Sequence, residues 1–286
     1  MTLTLTAGDR QIDLSSPACM GVINVTPDSF SDGSQLQLRG SSLFQVDIDK
    51  ALAKAECMVR EGAAFIDVGG ESTRPGADLV SLQEELDRVI PLVEAIRENL
   101  DVCISIDTSS PQVMSEAIKA GAELINDIRA LSHPQAIAVV KQSNVAVCLM
   151  HMQGKPSSMQ ESISYENVVE EVFTFLSDRV QFCRQQGIDK QRLIVDPGFG
   201  FGKTVAHNYQ LLKNLSRFSA LHLPVLVGLS RKSMIGAVID RPVEQRLAGS
   251  IAATSYALLG GARIIRTHDV AATIDAIRVN SAFSRV

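Results

Sequence analysis

Eight times between residues 18 and 268, a short apolar run is followed by a longer segment with helical spacing. The runs are ACMGVINV (18–25), AFIDVG (64–69), VCISID (102–107), AELIND (122–127), VAVCLMH (145–151), RLIVDP (192–197), LPVLVGLS (223–230) and ARIIRTH (262–268). Strands that are apolar along their whole length are covered on both faces, as in parallel sheets flanked by helices. Gly62, Gly121, Gly187 and Gly261 stand where helical segments stop, and Pro111 and Pro134 where others start. Eight strand–helix units in a chain of this size predict an α/β fold, a (β/α)8 TIM barrel. A doubly wound open sheet is the alternative. Nothing linker-like divides the chain, so residues 1–286 read as one domain. LTLTAGDRQIDL (3–14) reads as a short N-terminal β-hairpin at the barrel bottom.

In such a barrel, chemistry sits at the C-terminal strand ends. Those ends carry Asn24, Asp67, Asp107, Asn126 with Asp127, His151, Asp196, Ser230 with Arg231 and Lys232, and Arg266 with His268. A single strand-end Asp is an ordinary turn former or helix cap. This many polar ends converging on one rim is more than caps require. Carboxylates and amides can read the donor-rich edge of a planar heterocycle. Arg and His beside a helix start suit a phosphate group. The rim therefore predicts a heterocycle carrying phosphate.

DPGFGFGKT (196–204) invites a nucleotide-loop reading, but that pattern needs a glycine where Pro197 stands. It reads instead as a tight loop whose glycines bring backbone close to a bound molecule. His151 reads as a structural strand-end histidine before a general base. Ser230 has no His or Asp partner at a recognisable spacing, which weighs against hydrolase chemistry. A net charge of −5 argues against broad nucleic-acid binding. The apolar runs are too short to span a membrane, and the N-terminus lacks a secretory pattern. Cys19, Cys57, Cys103, Cys148 and Cys183 form no C-x-x-C pair and read as reduced thiols of a cytoplasmic protein. The five histidines show no zinc-ligand spacing.

GVINVTPDSFSDG, GGESTRPGA, SIDT, NDI, LMHMQGKPSSMQ, DPGFGFGK, PVLVGLSRKSMIG and RTHDV occur in that order across residues 21–270. Together they resemble the dihydropteroate synthase family of folate biosynthesis. The resemblance implies a Mg²⁺-dependent transferase that joins 4-aminobenzoate to 6-hydroxymethyl-7,8-dihydropterin pyrophosphate, forming 7,8-dihydropteroate. It implies a pterin site of Asp107, Asn126, Asp196 and Lys232, with Met150 and Phe201 packed beside it. Asn24, Arg266 and His268 would hold pyrophosphate, with Asn24 also at the metal. Phe30, Thr73, Arg74, Pro75 and Ser233 would form the loops and the aminobenzoate pocket, with Asp28 in the first loop. Asp107, Asp196, Lys232 and Arg266 would carry the catalysis. Sulfonamide inhibitors and a homodimer are also implied. TPDSFSDGS and GESTRPGA have little apolar content to hold them down, which predicts an aminobenzoate pocket completed only after the first substrate or pyrophosphate binds. The first loop departs from the family at Ser34, where relatives often have glycine.

Two other classes compete. A barrel passing a methyl group from a reduced folate to a corrinoid protein has no use for RTHDV or STRPG. A catalytically dead binding protein would show losses at Asn24, Arg266 or His268, and all three are present.

Overall fold

Side chains alternate between the two faces of a strand, so a closed barrel sorts its sequence into an inner and an outer set. The computed structural model describes residues 3–27, 36–37, 45–72, 80–154, 159–160 and 162–285. A hairpin of β1 (Thr4–Ala7) and β2 (Arg10–Asp13) precedes eight parallel strands. These are β3 (Ala18–Asn24), β4 (Phe65–Gly69), β5 (Cys103–Asp107), β6 (Leu124–Asp127), β7 (Ala146–Met150), β8 (Leu193–Asp196), β9 (Leu226–Gly228) and β10 (Ile264–Thr267). They pair in the order β8-β7-β6-β5-β4-β3-β10-β9. A parallel bridge between Val195 and Val225 closes the ring, and the Val195 N–H donates to the Pro224 carbonyl at 3.0 Å. This is the barrel that the eightfold alternation predicts, with its hairpin.

The crossovers are α1 (Ile48–Glu61), α2 (Leu82–Asn99), α3 (Pro111–Ala120), α4 (Pro134–Lys141), α5 (Val168–Gln185) and α6 (Val205–Lys213), then α7 (Ser233–Ile239), α8 (Leu247–Leu259) and α9 (Val270–Phe283). Gly62 and Gly121 end α1 and α3 in the left-handed region, at φ 107° and 113°. Ser81 and Glu84 form a capping box that starts α2. β9 is shorter than the eight-residue run that predicts it. Pro224 has no N–H to donate, and Arg231 turns the chain at φ 57°.

Outward-facing Ile23, Ile66, Val68, Ile104, Ile106 and Val195 pack against helix residues such as Val89, Leu92 and Val113. Inward-facing Met20, Phe65, Cys103, Leu124, Ile194 and Ile264 meet Leu5, Ala7 and Leu14 from the hairpin and its exit. These large side chains are essentially inaccessible to solvent, and each buried one stabilises by roughly 1.5–3 kcal/mol. Arg10 of β2 locks the hairpin in place by donating Nε to both carboxylate oxygens of Glu123, at 3.0 and 2.9 Å. The barrel thus has a floor. Two residues further along the same inward rows the chemistry changes. Asp67 follows Phe65, Ser105 and Asp107 follow Cys103, and Asn126 follows Leu124. Met150 follows Cys148, Asp196 follows Ile194, and Arg266 follows Ile264.

Candidate active site

This polar inner layer is organised around Asp67, which is fully buried. Its carboxylate accepts from Ser105 Oγ at 2.5 Å, from Asn126 Nδ2 at 3.2 Å and from Arg266 Nε at 2.6 Å. The other edge of the guanidinium reaches Asp107, with Nη2 donating to Oδ2 at 2.8 Å. Arg266 is therefore forked between two acids on β4 and β5, across the mouth from its own strand. Burial alone would lower its pKa, but Asp67 and Asp107 together hold it above the ordinary arginine value. Burial pushes Asp107 up to about 7, with Arg266 opposing and Asp67 adding to the shift. Asn24 lies beside this group. A Cβ on Gly69 would stand 3.2 Å from Asn24 Oδ1 and 3.6 Å from the Asp107 Cβ, so the glycine leaves room for both side chains.

The second half of the mouth comes from β8 and the loops after β8 and β9. Burial raises the Asp196 pKa, opposed by Lys232 and by the Gly198 N–H, which donates to Oδ1 at 2.7 Å. Lys232 donates to the Phe199 carbonyl and sits 4.9 Å from the centroid of the Phe201 ring. Burial lowers its pKa to about 8, and Asp196 opposes the shift. Met150 is buried at the end of β7, paired in register with Asp196. Ser233 is exposed and begins α7, directly after Lys232.

His268 is fixed by a residue the sequence leaves without a partner. Ser230 Oγ lies 3.0 Å from His268 Nδ1 and also accepts the His268 backbone N–H at 3.2 Å. Sequence spacing hides this pair because it joins the ends of two adjacent strands. No triad results. The neighbouring Asp269 is engaged by Arg231, through Nε at 3.0 Å and Nη2 at 2.5 Å.

Other rim residues turn out to hold loops. Asp127 accepts from Ser109 Oγ at 2.5 Å and from the Arg129 and Leu131 N–H groups, both at 2.8 Å. His151 faces Lys203, Nδ1 to Nζ at 2.9 Å, and burial followed by the Lys203 charge lowers its pKa to about 3. It is a neutral structural group, as its strand-end position suggests. Asp28, Phe30, Ser34, Thr73, Arg74 and Pro75 lie outside the described residues. The geometry brings together Asn24, Asp107, Asn126, Met150, Asp196, Phe201, Lys232, Arg266 and His268 on one mouth. Sequence reading places Asp67 on the rim but gives it no role. The available signal was an acid in the middle of AFIDVG, on the inward row.

Comparison with known proteins gives a consistent result. The pterin binding enzyme family matches residues 20–268. The dihydropteroate synthase of Haemophilus influenzae is 53% identical over 277 residues, covering 97% of this chain and 98% of its own. The Yersinia pestis dihydropteroate synthase, solved as a sulfonamide drug complex, superimposes with a TM-score of 0.93 at 48% identity, covering 99% of this chain and 100% of that one. The Xanthomonas albilineans dihydropteroate synthase with 4-aminobenzoic acid gives 0.90 at 45% identity, covering 100% of both chains.

Proposed function

The chain belongs to the dihydropteroate synthases of the pterin-binding enzyme family, transferases of folate biosynthesis, and from that premise we propose how its rim condenses 6-hydroxymethyl-7,8-dihydropterin pyrophosphate with 4-aminobenzoate. One observation carries the assignment of roles. The inward rows of four neighbouring strands, β5 to β8, end in Asp107, Asn126, Met150 and Asp196, directly above an apolar floor. A flat ring entering the cup meets acceptors on its N–H edge and apolar side chains on its faces. Asp107 and Asp196 take the ring N–H groups, Asn126 adds an amide, and Met150 and Phe201 flank the ring. Lys232 supplies a donor at its rim.

Arg266, His268 and Asn24 take the pyrophosphate. Arg266 joins the two halves of the site, because the guanidinium that meets the leaving group is already bound to the pterin acid Asp107. The donor set near Asn24 suits Mg²⁺. Among the described residues no group of three His, Cys, Asp or Glu could cage a metal. Mg²⁺ that keeps several waters and binds through substrate phosphates asks few ligands of the protein, and the Asn24 side-chain oxygen would be one here. When bound there it would neutralise charge on the departing pyrophosphate.

The residues then favour a dissociative order. Charge developing on the leaving group falls on Arg266 and His268, which are fixed in advance. The electron-rich ring shares the positive charge left on its CH2 carbon, and Asp107 and Asp196 stabilise that charge. The aromatic amine, neutral near pH 7, then attacks through its lone pair without prior deprotonation, and the proton its nitrogen loses as the C–N bond forms passes to water or to the departing pyrophosphate. Phe30, Thr73, Arg74, Pro75 and Ser233 are assigned to its pocket by family resemblance, and sulfonamides are expected to compete there. Assaying pyrophosphate release with and without 4-aminobenzoate tests the function. Release should depend on the amine and yield dihydropteroate. Methyl transfer, or ligand binding with no turnover, would overturn it.

The exposed apolar side chains support a homodimer. Helices α8 and α9 pack side by side, and Leu247, Tyr256 and Leu259 on the first and Val279 and Phe283 on the second are all exposed. Leu259→Glu should convert a dimer to a monomer in sedimentation velocity. A wild-type monomer, or a variant that remains dimeric, would count against this surface. A cytoplasmic, reducing setting fits the five unpaired cysteines, four of them buried.

A further inference from the structure

The loop that follows Asp196 is held almost entirely by side chains. Six consecutive carbonyls, from Gly198 to Lys203, each accept a side-chain hydrogen bond. Lys203 Nζ donates to Gly198 O at 2.8 Å and Phe201 O at 3.0 Å, and Lys232 takes Phe199 O. Gln160 takes Gly200 O at 2.7 Å, Tyr165 takes Gly202 O at 2.9 Å, and Asn208 takes Lys203 O at 3.3 Å. Lys203 alone holds two of the six. It is 3% exposed, with His151 Nδ1 at 2.9 Å and the His151 carbonyl at 3.4 Å as its other neighbours. Its hydrogen-bond partners are all neutral, and burial lowers its pKa to about 7, with the Asp196 charge opposing the shift.

Gly198 is the point where the two ends of the loop meet. Its N–H donates to the Asp196 carboxylate, and its carbonyl accepts from Lys203. It sits at φ 71°, and a Cβ there would stand 1.9 Å from the His151 carbonyl oxygen. The backbone is therefore pressed against β7 in a shape that only glycine allows. Phe199 and Phe201, carried on the same loop, set the position of Lys232.

We propose that Lys203 is a positioning residue for the reaction: sealed inside the 198–203 loop, its ammonium fixes the backbone that orients the Asp196 carboxylate toward the pterin. It touches neither substrate and acts through Gly198. The inference rests on the assignment of Asp196 to the pterin, and the test separates the two. Calorimetric titration with 6-hydroxymethyl-7,8-dihydropterin is run on the wild type, Lys203→Met, Asp196→Asn and the double variant. Lys203→Met should weaken the pterin at least tenfold while Mg²⁺-pyrophosphate affinity stays within twofold. In the Asp196→Asn background the same change should weaken it less than threefold, because the group it positions is already impaired. Unchanged pterin affinity in folded Lys203→Met, fully additive losses, or an equal loss of pyrophosphate affinity would each overturn the proposal. Unchanged affinity in Asp196→Asn would instead remove Asp196 from the pterin site. Should Lys203→Met not fold, His151→Ala removes one neighbour of the ammonium and enters the same cycle. Its expected loss is at least threefold, and an additive result overturns the proposal equally.

Discussion

Arg266→Met is expected to lower kcat/KM at least about a thousandfold, a loss of roughly 4 kcal/mol in transition-state stabilisation. Two effects combine. The leaving group loses its guanidinium, and Asp67 and Asp107 lose the cation that lies between them at 2.6 and 2.8 Å. Breaking a buried pair by removing one partner strands the other charge, so the fold should also lose about 3–5 kcal/mol. The sign with pH follows from Asp107. Burial already raises its folded pKa to about 7 against the opposing charge of Arg266, and without Arg266 it rises further, so the folded state prefers the protonated form. The penalty is absent below the unfolded pKa and grows as pH rises through the folded value. Urea unfolding at pH 6 and pH 8.5 should therefore show a larger gap between variant and wild type at the higher pH. A gap that stays constant with pH, or steady-state kinetics within tenfold of wild type, would contradict the forked role of Arg266.

Asp107→Asn should weaken dihydropterin binding by about 2–4 kcal/mol, roughly 30- to 1,000-fold, because a charge-assisted acceptor becomes a mixed donor and acceptor. It should also change the pH profile. Burial sets Asp107 at about 7, so below that pH the wild-type group is protonated and accepts poorly. Wild-type affinity for the pterin should rise from about pH 5.5 to about pH 7.5, whereas the variant should stay flat. Lys232, near 8, remains charged through most of that range. For folding the sign is reversed. A carboxyl whose pKa is raised on folding contributes stability that is complete below its unfolded value, near 3.9, and lost as pH rises through about 7. A wild-type affinity with no pH dependence, or a variant that still follows it, would show that Asp107 is not the titrating acceptor.

Most of the architecture can be read from the alternation of apolar runs and helical segments, because parallel strands buried on both faces leave that pattern. What alternation within a strand adds is which polar residue points inward. In AFIDVG and RLIVDP, Asp67 and Asp196 share the parity of Phe65 and Ile194, and so of the floor. Roles are harder to read. Asp67 makes three hydrogen bonds to residues 38, 59 and 199 positions away, which no local spacing can reveal. The Ser230–His268 contact is hidden in the same way, at a separation of 38. Lys203 misleads more actively. Gly-Lys-Thr suggests a cation offered to phosphate, yet the side chain turns inward onto carbonyls of its own loop. Proline at 197 argues against a nucleotide loop, but only the fold shows where the lysine goes.

Because Leu5, Ala7 and Leu14 stopper the barrel from below, the cup formed by the described residues has its door at the rim. Traffic through one door is last in, first out. A ring lying against the inner acids must enter before anything that sits above it, and a second reactant arriving early would stand in its way. On the proposed assignment the joined product would have the same geometry, with its pterin end deepest and its aminobenzoate end at the threshold. Pyrophosphate held at the rim by Arg266 and His268 would stand nearer the exit than the ring it leaves. The hairpin, which ends at Asp13 well before the first rim residue Asn24, would thus have a part in the kinetics. It would impose a queue on the reactants without touching any of them.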